Sequence, residues 1–229
     1  MGREIEKIAL GRGHEIAGKI DLNNQQELDT LPSSAVDVVI EFSTPESAAS
    51  NIKKCILKGW PVVSGTTGWL AHKKEIEDLC QENQGAFFYA SNYSIGVNLF
   101  FKLNTYLARL MKGHQYAVDM TEIHHIHKKD APSGTAITLA EGIQAGDSSY
   151  QGWTLTPEKQ ENHVPITSER EGEVPGTHII RYNSSVDTIE ISHTAHGRQG
   201  FALGAVVAAE WLIGKKGTFG MDDLLKLES

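Results

Sequence analysis

The run Val36-Asp37-Val38-Val39-Ile40-Glu41-Phe42, followed at once by Ser43-Thr44-Pro45-Glu46, decides the fold. Its first part is mostly apolar and β-branched, the pattern of a strand buried in a parallel sheet. Thr44, Pro45 and Glu46 then supply an N-cap, a proline at the first helical position and an acid in the first turn. The helix they open is expected to run to about Lys58, where Gly59 stops it. Pro61-Val62-Val63-Ser64 repeats the strand signal, and Gly65-Thr66-Thr67-Gly68 follows it as a loop. A helix is predicted over 70–83, then a third strand, Ala86-Phe87-Phe88-Tyr89-Ala90. Strands alternating with helices imply βαβ units and a parallel sheet. Ahead of them, residues 3–11 place Ile5, Ile8 and Ala9 at helical spacing, with Gly11 or Gly13 as the cap, and residues 15–21 read as a short strand ending in Asp21.

The rhythm changes after Asn92. A long helix over 97–111 is predicted to bury Leu99, Phe100, Leu103, Leu107 and Leu110, and residues 116–123 alternate as a half-exposed strand. A helix is expected over 134–145, and the polar, turn-rich residues 146–161 read as a loop. Residues 177–182 and 188–193 form two alternating strands, antiparallel across Asn183-Ser184-Ser185, and 201–213 a last apolar helix. The fold class is therefore α/β: a parallel half interrupted by an inserted α+β half on an open sheet, with the last helix returning to the first half.

The 229 residues suffice for one large domain or two modest ones, and 40% hydrophobic with 22% charged residues is an ordinary globular balance. No apolar run approaches the ~20 residues of a membrane span. Met1-Gly2-Arg3-Glu4 leads into an amphipathic pattern, unlike a secretory signal. Cys55 and Cys80 fall at apolar positions of helical stretches and read as buried free thiols, so a cytoplasmic location is expected. A net charge of −8 argues against nucleic acid as the main partner. An anionic ligand then needs a local cationic patch.

Ligands of open α/β sheets bind outside the carboxyl ends of the strands. Three loops lie there: Phe42-Ser43-Thr44-Pro45, Gly65-Thr66-Thr67-Gly68 and Ala90-Ser91-Asn92-Tyr93. Each alone is a common turn. Together, at successive strand ends, they would line one crevice of the kind a dinucleotide needs. Asp21 has two readings, an acid for the ribose hydroxyls of a bound dinucleotide or a solvated turn aspartate, and spacing alone slightly favours the turn. A dinucleotide-binding unit normally opens with an apolar strand and Gly-x-Gly-x-x-Gly. Here the sequence starts at Met1-Gly2-Arg3-Glu4 with at most the last glycine of such a turn, so weak cofactor binding by the chain as written is expected.

The cationic patch is Glu122-Ile123-His124-His125-Ile126-His127-Lys128-Lys129-Asp130-Ala131-Pro132-Ser133-Gly134-Thr135. A metal reading of His124, His125 and His127 is weakened because neighbours on a strand face opposite sides and no carboxylate or cysteine pattern completes the set, so no metal is assigned. A solvated polar loop is the second reading. The third is catalytic: His124 and Lys128 supply or steer protons, Asp130 orients a lysine or caps the turn, and Ser133-Gly134-Thr135 offers backbone N–H groups at a helix N-terminus to a carboxylate.

From Glu122 to Ala136 the segment resembles, without gaps, the signature Glu-x-His-His-x-x-Lys-x-Asp-Ala-Pro-Ser-Gly-Thr-Ala of the dihydrodipicolinate reductase family. Glu41 to Pro45, Ser64 to Gly68, Ala90 to Asn98, Arg170 to His178 and Arg198 to Trp211 are also similar to that family. The resemblance covers nearly the whole chain, apart from the opening strand and glycine turn. It implies a Rossmann-type nucleotide-binding domain over 1–94 completed by 204–229, and an inserted α+β domain over 95–203 that binds substrate and builds a homotetramer through its open sheet. It implies NADH- or NADPH-dependent reduction of a cyclic dicarboxylate in lysine and diaminopimelate synthesis, with hydride added at ring C4 and a proton at C3. His124 and Lys128 would handle protons, and His125, Ser133, Gly134 and Thr135 would hold substrate carboxylate. Asp21, Phe42, Ser43, Gly65, Thr66, Thr67, Ala90, Ser91, Asn92, Tyr93 and Arg198 would line the cofactor site, and the acid at 21 would favour NADH. A different oxidoreductase of a small imine or aldehyde, and a truncated subunit that only oligomerises, remain as alternatives.

Overall fold

The computed structural model describes residues 1–158 and 160–227. Lys159, inside the expected loop, and residues 228 and 229, inside the expected completion of the first domain, lie outside the described residues. The chain divides into two compact units, Met1–Ile95 with Gln199–Ser229, and Gly96–Arg198.

The first unit runs α1 (Gly2–Gly11), α2 (Gln26–Thr30), β1 (Val39–Glu41), α3 (Pro45–Leu57), β2 (Val62–Ser64), α4 (Lys73–Glu82) and β3 (Ala86–Tyr89) before the second unit intervenes. The second runs α5 (Ile95–Met111), β4 (Ala117–His124), α6 (Gly134–Gly146), β5 (Gly152–Leu155), β6 (His163–Arg170), β7 (Thr177–Asn183) and β8 (Thr188–Thr194). The chain then completes the first unit with α7 (Gln199–Leu212), β9 (Gly217–Phe219) and α8 (Met221–Leu225).

Strands β1, β2, β3 and β9 form a parallel sheet in that order. Alternation along each strand divides its side chains between two cores. Val62 and Phe87 face α3 and α4 with Trp60 and Trp69, while Val63 and Phe88 face α1 and α7. Pro45 stands at the start of α3, and Gly59 adopts φ +75° at its end, where a side chain would be strained. Cys55 and Cys80 are buried and free, as expected, and burial pushes the Cys55 thiol up to about 12. Helix α7 presents small residues, Ala202, Gly204, Ala205, Ala208 and Ala209, and so lies close to its neighbours. A Cβ on Gly204 would sit 1.7 Å from the Tyr93 carbonyl oxygen.

Strands β5-β6-β4-β7-β8 form a mixed sheet, parallel across β5, β6 and β4 and antiparallel across β4, β7 and β8. Helices α5 and α6 cover one face, burying Val118, Met120, Val164, Ile166, Ile180 and Tyr182. The opposite face is polar: Arg181 contacts Glu190 at 2.7 Å and Asp119 at 3.6 Å.

Several sequence expectations are corrected. Residues 14–21 are exposed, have no regular structure and pair with no strand, so Asp21 does not end one. It sits in an Asx turn, its N–H donating to Asn24 and its carboxylate accepting from the Asn23 N–H, both at 2.7 Å. The expected loop over 146–161 contains β5, and β6 and β9 carry too little apolar alternation to stand out in the sequence. The leucine face of α5 is not its core face. Leu99, Leu103 and Leu110 are about half exposed, whereas Val97, Phe100, Asn104 and Ala108 are buried. The reason is close helix packing. A Cβ on Gly146 would meet the Ala108 Cβ at 2.6 Å, and Asn104 donates to the Leu139 carbonyl at 2.8 Å, so only small or hydrogen-bonding residues fit against α6.

Gly204→Ala tests the packing of α7. The Cβ meets backbone, which cannot swing aside, so overpacking of roughly 1–3 kcal/mol is expected, lowering the melting temperature by about 2–12 °C. Thermal unfolding followed by circular dichroism checks it, and an unchanged midpoint would refute the contact.

Candidate active site

Period-two alternation carries the core face of β4 from Val118 and Met120 to Glu122 and His124. The strand pairing then completes a polar cluster on that face. Glu122 pairs in register with His178 of β7, and His124 with Arg170 of β6. Glu122, His124 and His178 are all buried.

Every contact of this cluster is short. The Glu122 Oε2 lies 2.6 Å from the His124 Nδ1. The other carboxylate oxygen accepts from the Ser133 N–H and from the Arg170 guanidinium, both at 3.2 Å. Arg170 also donates to the Asp130 carbonyl at 2.6 Å and to the Lys128 carbonyl at 3.4 Å, fixing the loop after β4. Lys128 Nζ is 2.8 Å from Asp130, and this contact holds the Asp130 carboxyl below its usual range. The His178 ring crosses that of His124 edge-on, centroids 5.2 Å apart, and its Nε2 is 3.2 Å from the Ser133 Oγ. Burial works to raise the Glu122 carboxyl, yet the contacts from His124, Ser168 and Ser133 outweigh it and hold it well below the ordinary carboxylate range. Burial and then the nearby His124 push His178 down to about 4. Neutral His178 shares a hydrogen bond with the Ser133 hydroxyl, its direction set by the ring tautomer, while the Ser133 Oγ accepts the Ala136 N–H at 3.2 Å as the N-cap of α6.

The cap leaves the first N–H groups of α6, those of Gly134 and Thr135, without helical partners. Gly134 is exposed, and nothing lies within 4 Å of where its Cβ would be, so the helix N-terminus has room for an anion. His125 lies past the end of β4, partly exposed, with a buried Nδ1 that has no partner. His127 is exposed beside Glu173. The ligand-type atoms of Glu122, His124 and His178 lie within 4.8 Å of one another, a grouping different from the His124, His125 and His127 set weighed from the sequence. The Glu122 charge is already met by His124 and Arg170, which favours a proton-handling network over a cation site.

In the first unit a second buried carboxylate ties two strand-end loops together. Glu41 accepts from the Ser43 N–H at 2.9 Å, the Ser64 hydroxyl at 2.6 Å, the Thr66 hydroxyl at 2.9 Å and the Ser43 hydroxyl. The Ser43 and Thr66 hydroxyl protons are therefore committed to Glu41. Gly65 lets the Phe42 ring lie against it, since a Cβ there would fall 2.2 Å from ring atoms. Tyr93 is buried and donates to the Ser64 carbonyl at 2.6 Å. Ala90 is buried, whereas Thr67 and Ser91 are exposed at the ends of β2 and β3, with Asn92 partly exposed beside them. Exposed hydroxyls and backbone groups at successive strand ends fit the amide and hydroxyl groups of a nicotinamide nucleotide. Arg198 is exposed just before α7.

Two family models cover the chain: the N-terminus of dihydrodipicolinate reductase matches residues 1–93, and its C-terminus residues 96–225. The chain belongs to the dihydrodipicolinate reductase family. A 4-hydroxy-tetrahydrodipicolinate reductase of Christiangramia forsetii is 51% identical over 226 residues, covering 98% of this chain and 93% of that protein. One of Methanoregula boonei is 33% identical, covering 100% and 94% respectively. A dipicolinate-bound dihydrodipicolinate reductase from Paenisporosarcina sp. TG-14 shares the fold with a TM-score of 0.78 at 21% identity, over 97% of this chain and 94% of that one. Glu41, Glu122, Arg170 and His178 belong to the two buried polar networks, and the sequence alone assigns them no role. A signal for Glu122 was present, because it stands two residues before His124 on one strand and so shares its face.

The network makes acid destabilising. His178 is neutral in the fold, so as pH falls from 6.5 toward about 4 the unfolded chain binds a proton that the folded chain refuses, and stability is lost. The full loss from this group is on the order of 3 kcal/mol. Glu122, held low in the fold, adds a further loss as pH falls below its ordinary value of 4.5. Urea unfolding across this range should show that slope, and His178→Gln should flatten its upper part. An equal slope in both proteins would refute the assignment.

Proposed function

We propose that the chain catalyses NAD(P)H-dependent reduction of 4-hydroxy-tetrahydrodipicolinate to tetrahydrodipicolinate, with His124 and Lys128 managing the proton. Membership of the family makes it a nicotinamide-dependent reductase. The observation that carries the finer assignment is the buried Glu122–His124 contact beside the open N-terminus of α6, which joins a proton-handling group to a carboxylate site. The 4-hydroxyl leaves as water with a proton from C3, and a reduced nicotinamide, when bound, would then supply hydride to ring C4.

The chain's own residues do the rest. Gly134 and Thr135 receive a substrate carboxylate through their N–H groups, aided by the helix dipole, and the partly exposed His125 ring gives a further polar contact. Electron density displaced toward C3 takes a proton that His124 donates or relays from Nε2. Lys128, held by Asp130 and partly exposed, is the second donor and offsets the developing charge. The backbone of the Phe42–Ser43, Gly65–Thr67 and Ala90–Tyr93 segments holds the nucleotide. As the family resemblance implies, an acid at position 21 would oppose a 2′-phosphate and favour NADH over NADPH, and Arg198 lies in the segment leading back to the nucleotide unit.

His124→Gln and Lys128→Ala should each lower kcat by roughly 10²–10⁴-fold, followed by consumption of reduced cofactor with the dicarboxylate substrate. Near-normal turnover in either variant would remove that residue's role. The same assay run with NADH and with NADPH checks the preference, which fails if NADPH has the higher kcat/KM. We also propose a homotetramer assembled through the polar open face of the second sheet, and a cytoplasmic location. Light scattering should give the mass of four chains, and a monomer would refute the assembly.

A further inference from the structure

The hydrogen bonds around Glu122 link groups that the proposed function treats separately. One oxygen touches the His124 ring and the other receives the backbone N–H of Ser133, the cap of α6. The guanidinium that neutralises this carboxylate also holds the backbone of Lys128 and Asp130. A single buried carboxylate thus lies between the proton donor, the anion-binding helix start and the loop of the second donor. Resting on the assignment of His124 as the proton-handling group, we propose that Glu122 is a positioning residue that fixes His124 as its Nδ1–H tautomer and locks that ring to the start of α6.

First, the carboxylate oxygen 2.6 Å from Nδ1 is a close charge contact without an aligned hydrogen bond, and its negative charge favours a proton on that nitrogen, which leaves Nε2 as the nitrogen that exchanges a proton. Second, Nε2 is aimed at Gly176, where φ is +152° and a Cβ would lie 3.0 Å from that nitrogen. Glycine keeps that side of the ring free. Third, the groups facing His124 from each packed element have unequal signs. Glu122 on its own strand is anionic, Arg170 on β6 is cationic, His178 on β7 is neutral, and the following loop contributes the Lys128–Asp130 pair. Glu122 is the anion in contact with the ring, so it is the group that stabilises an imidazolium poised to donate from Nε2. Removing its charge leaves Arg170 facing the ring unopposed and disfavours the charged ring. Glu122 has no need to touch substrate for any of this.

The experiment combines a tautomer measurement on the unaltered protein with kinetics of Glu122→Gln and Glu122→Asp. Nitrogen-15 histidine spectra of the native protein, with His124 assigned by its loss in His124→Gln and recorded above the alkaline limb where the ring is neutral, should show the Nδ1–H form. The Nε2–H form would overturn the proposal without any Glu122 variant having to fold. In Glu122→Gln, kcat should fall by roughly 10²-fold. The alkaline limb of its pH profile should move to lower pH, with KM for NADH unchanged. Glu122→Asp should recover part of kcat and the original limb, because it keeps the charge. Loss of kcat in Glu122→Gln with an unshifted limb marks a merely structural role and overturns the proposal, as does wild-type kcat in that variant. If His124→Gln itself turns over normally, the assignment of His124 fails instead, so the two failures are distinguishable.

Discussion

A carboxylate fully removed from water has to be matched on every side, and the second unit is organised around meeting that demand for Glu122. Its strand position faces the core, where Val118 and Met120 precede it. An unpaired charge there would cost several kcal/mol. The His124 ring, the Arg170 guanidinium and the Ser133 amide meet the charge, and each comes from a different place: the same strand, the parallel neighbour β6 and the start of α6. None of these partners can shift alone without leaving the anion exposed to an apolar surrounding. The network is consequently rigid, which is what a site needs if it must present one nitrogen of one histidine to a substrate.

The first unit answers a similar demand by different means. Glu41 ends β1 among hydroxyls and an amide, with no cation in its shell of hydrogen bonds. The result is that the loops after β1 and β2 are tied through Ser43, Ser64 and Thr66. The Ser43, Ser64 and Thr66 hydroxyls are thereby internal struts, while Thr67 and, on β3, Ser91 are exposed beside them. Side-chain hydroxyls in strand-end loops have two possible partners, ligand or protein. Burial decides between them, and burial is invisible in a linear sequence.

The same competition explains where the sequence was misread elsewhere. Leucines at helical spacing in α5 suggested a core stripe, but the glycines of α6 bring the two helices too close for leucine, and Asn104 and Ala108 occupy the contact. Asp21 ends no strand, because residues 14–21 lie exposed with no neighbouring strand to take their backbone hydrogen bonds. In each case a local pattern was correct as far as it went, and a tertiary approach distance or a missing partner overrode it.

By itself the sequence determined the parallel α/β unit, through β-branched runs punctuated by Thr44-Pro45 and Gly59. It also determined the antiparallel pair across Asn183-Ser184-Ser185, and the family, through the ungapped segment from Glu122 to Ala136. These depend on periodicity, backbone preference and residue identity, which are properties of short stretches of chain. Only the tertiary structure decided that Arg170 and His178 join Glu122 and His124. Strand register sets those pairings across dozens of residues, and no local propensity encodes which strand lies beside which.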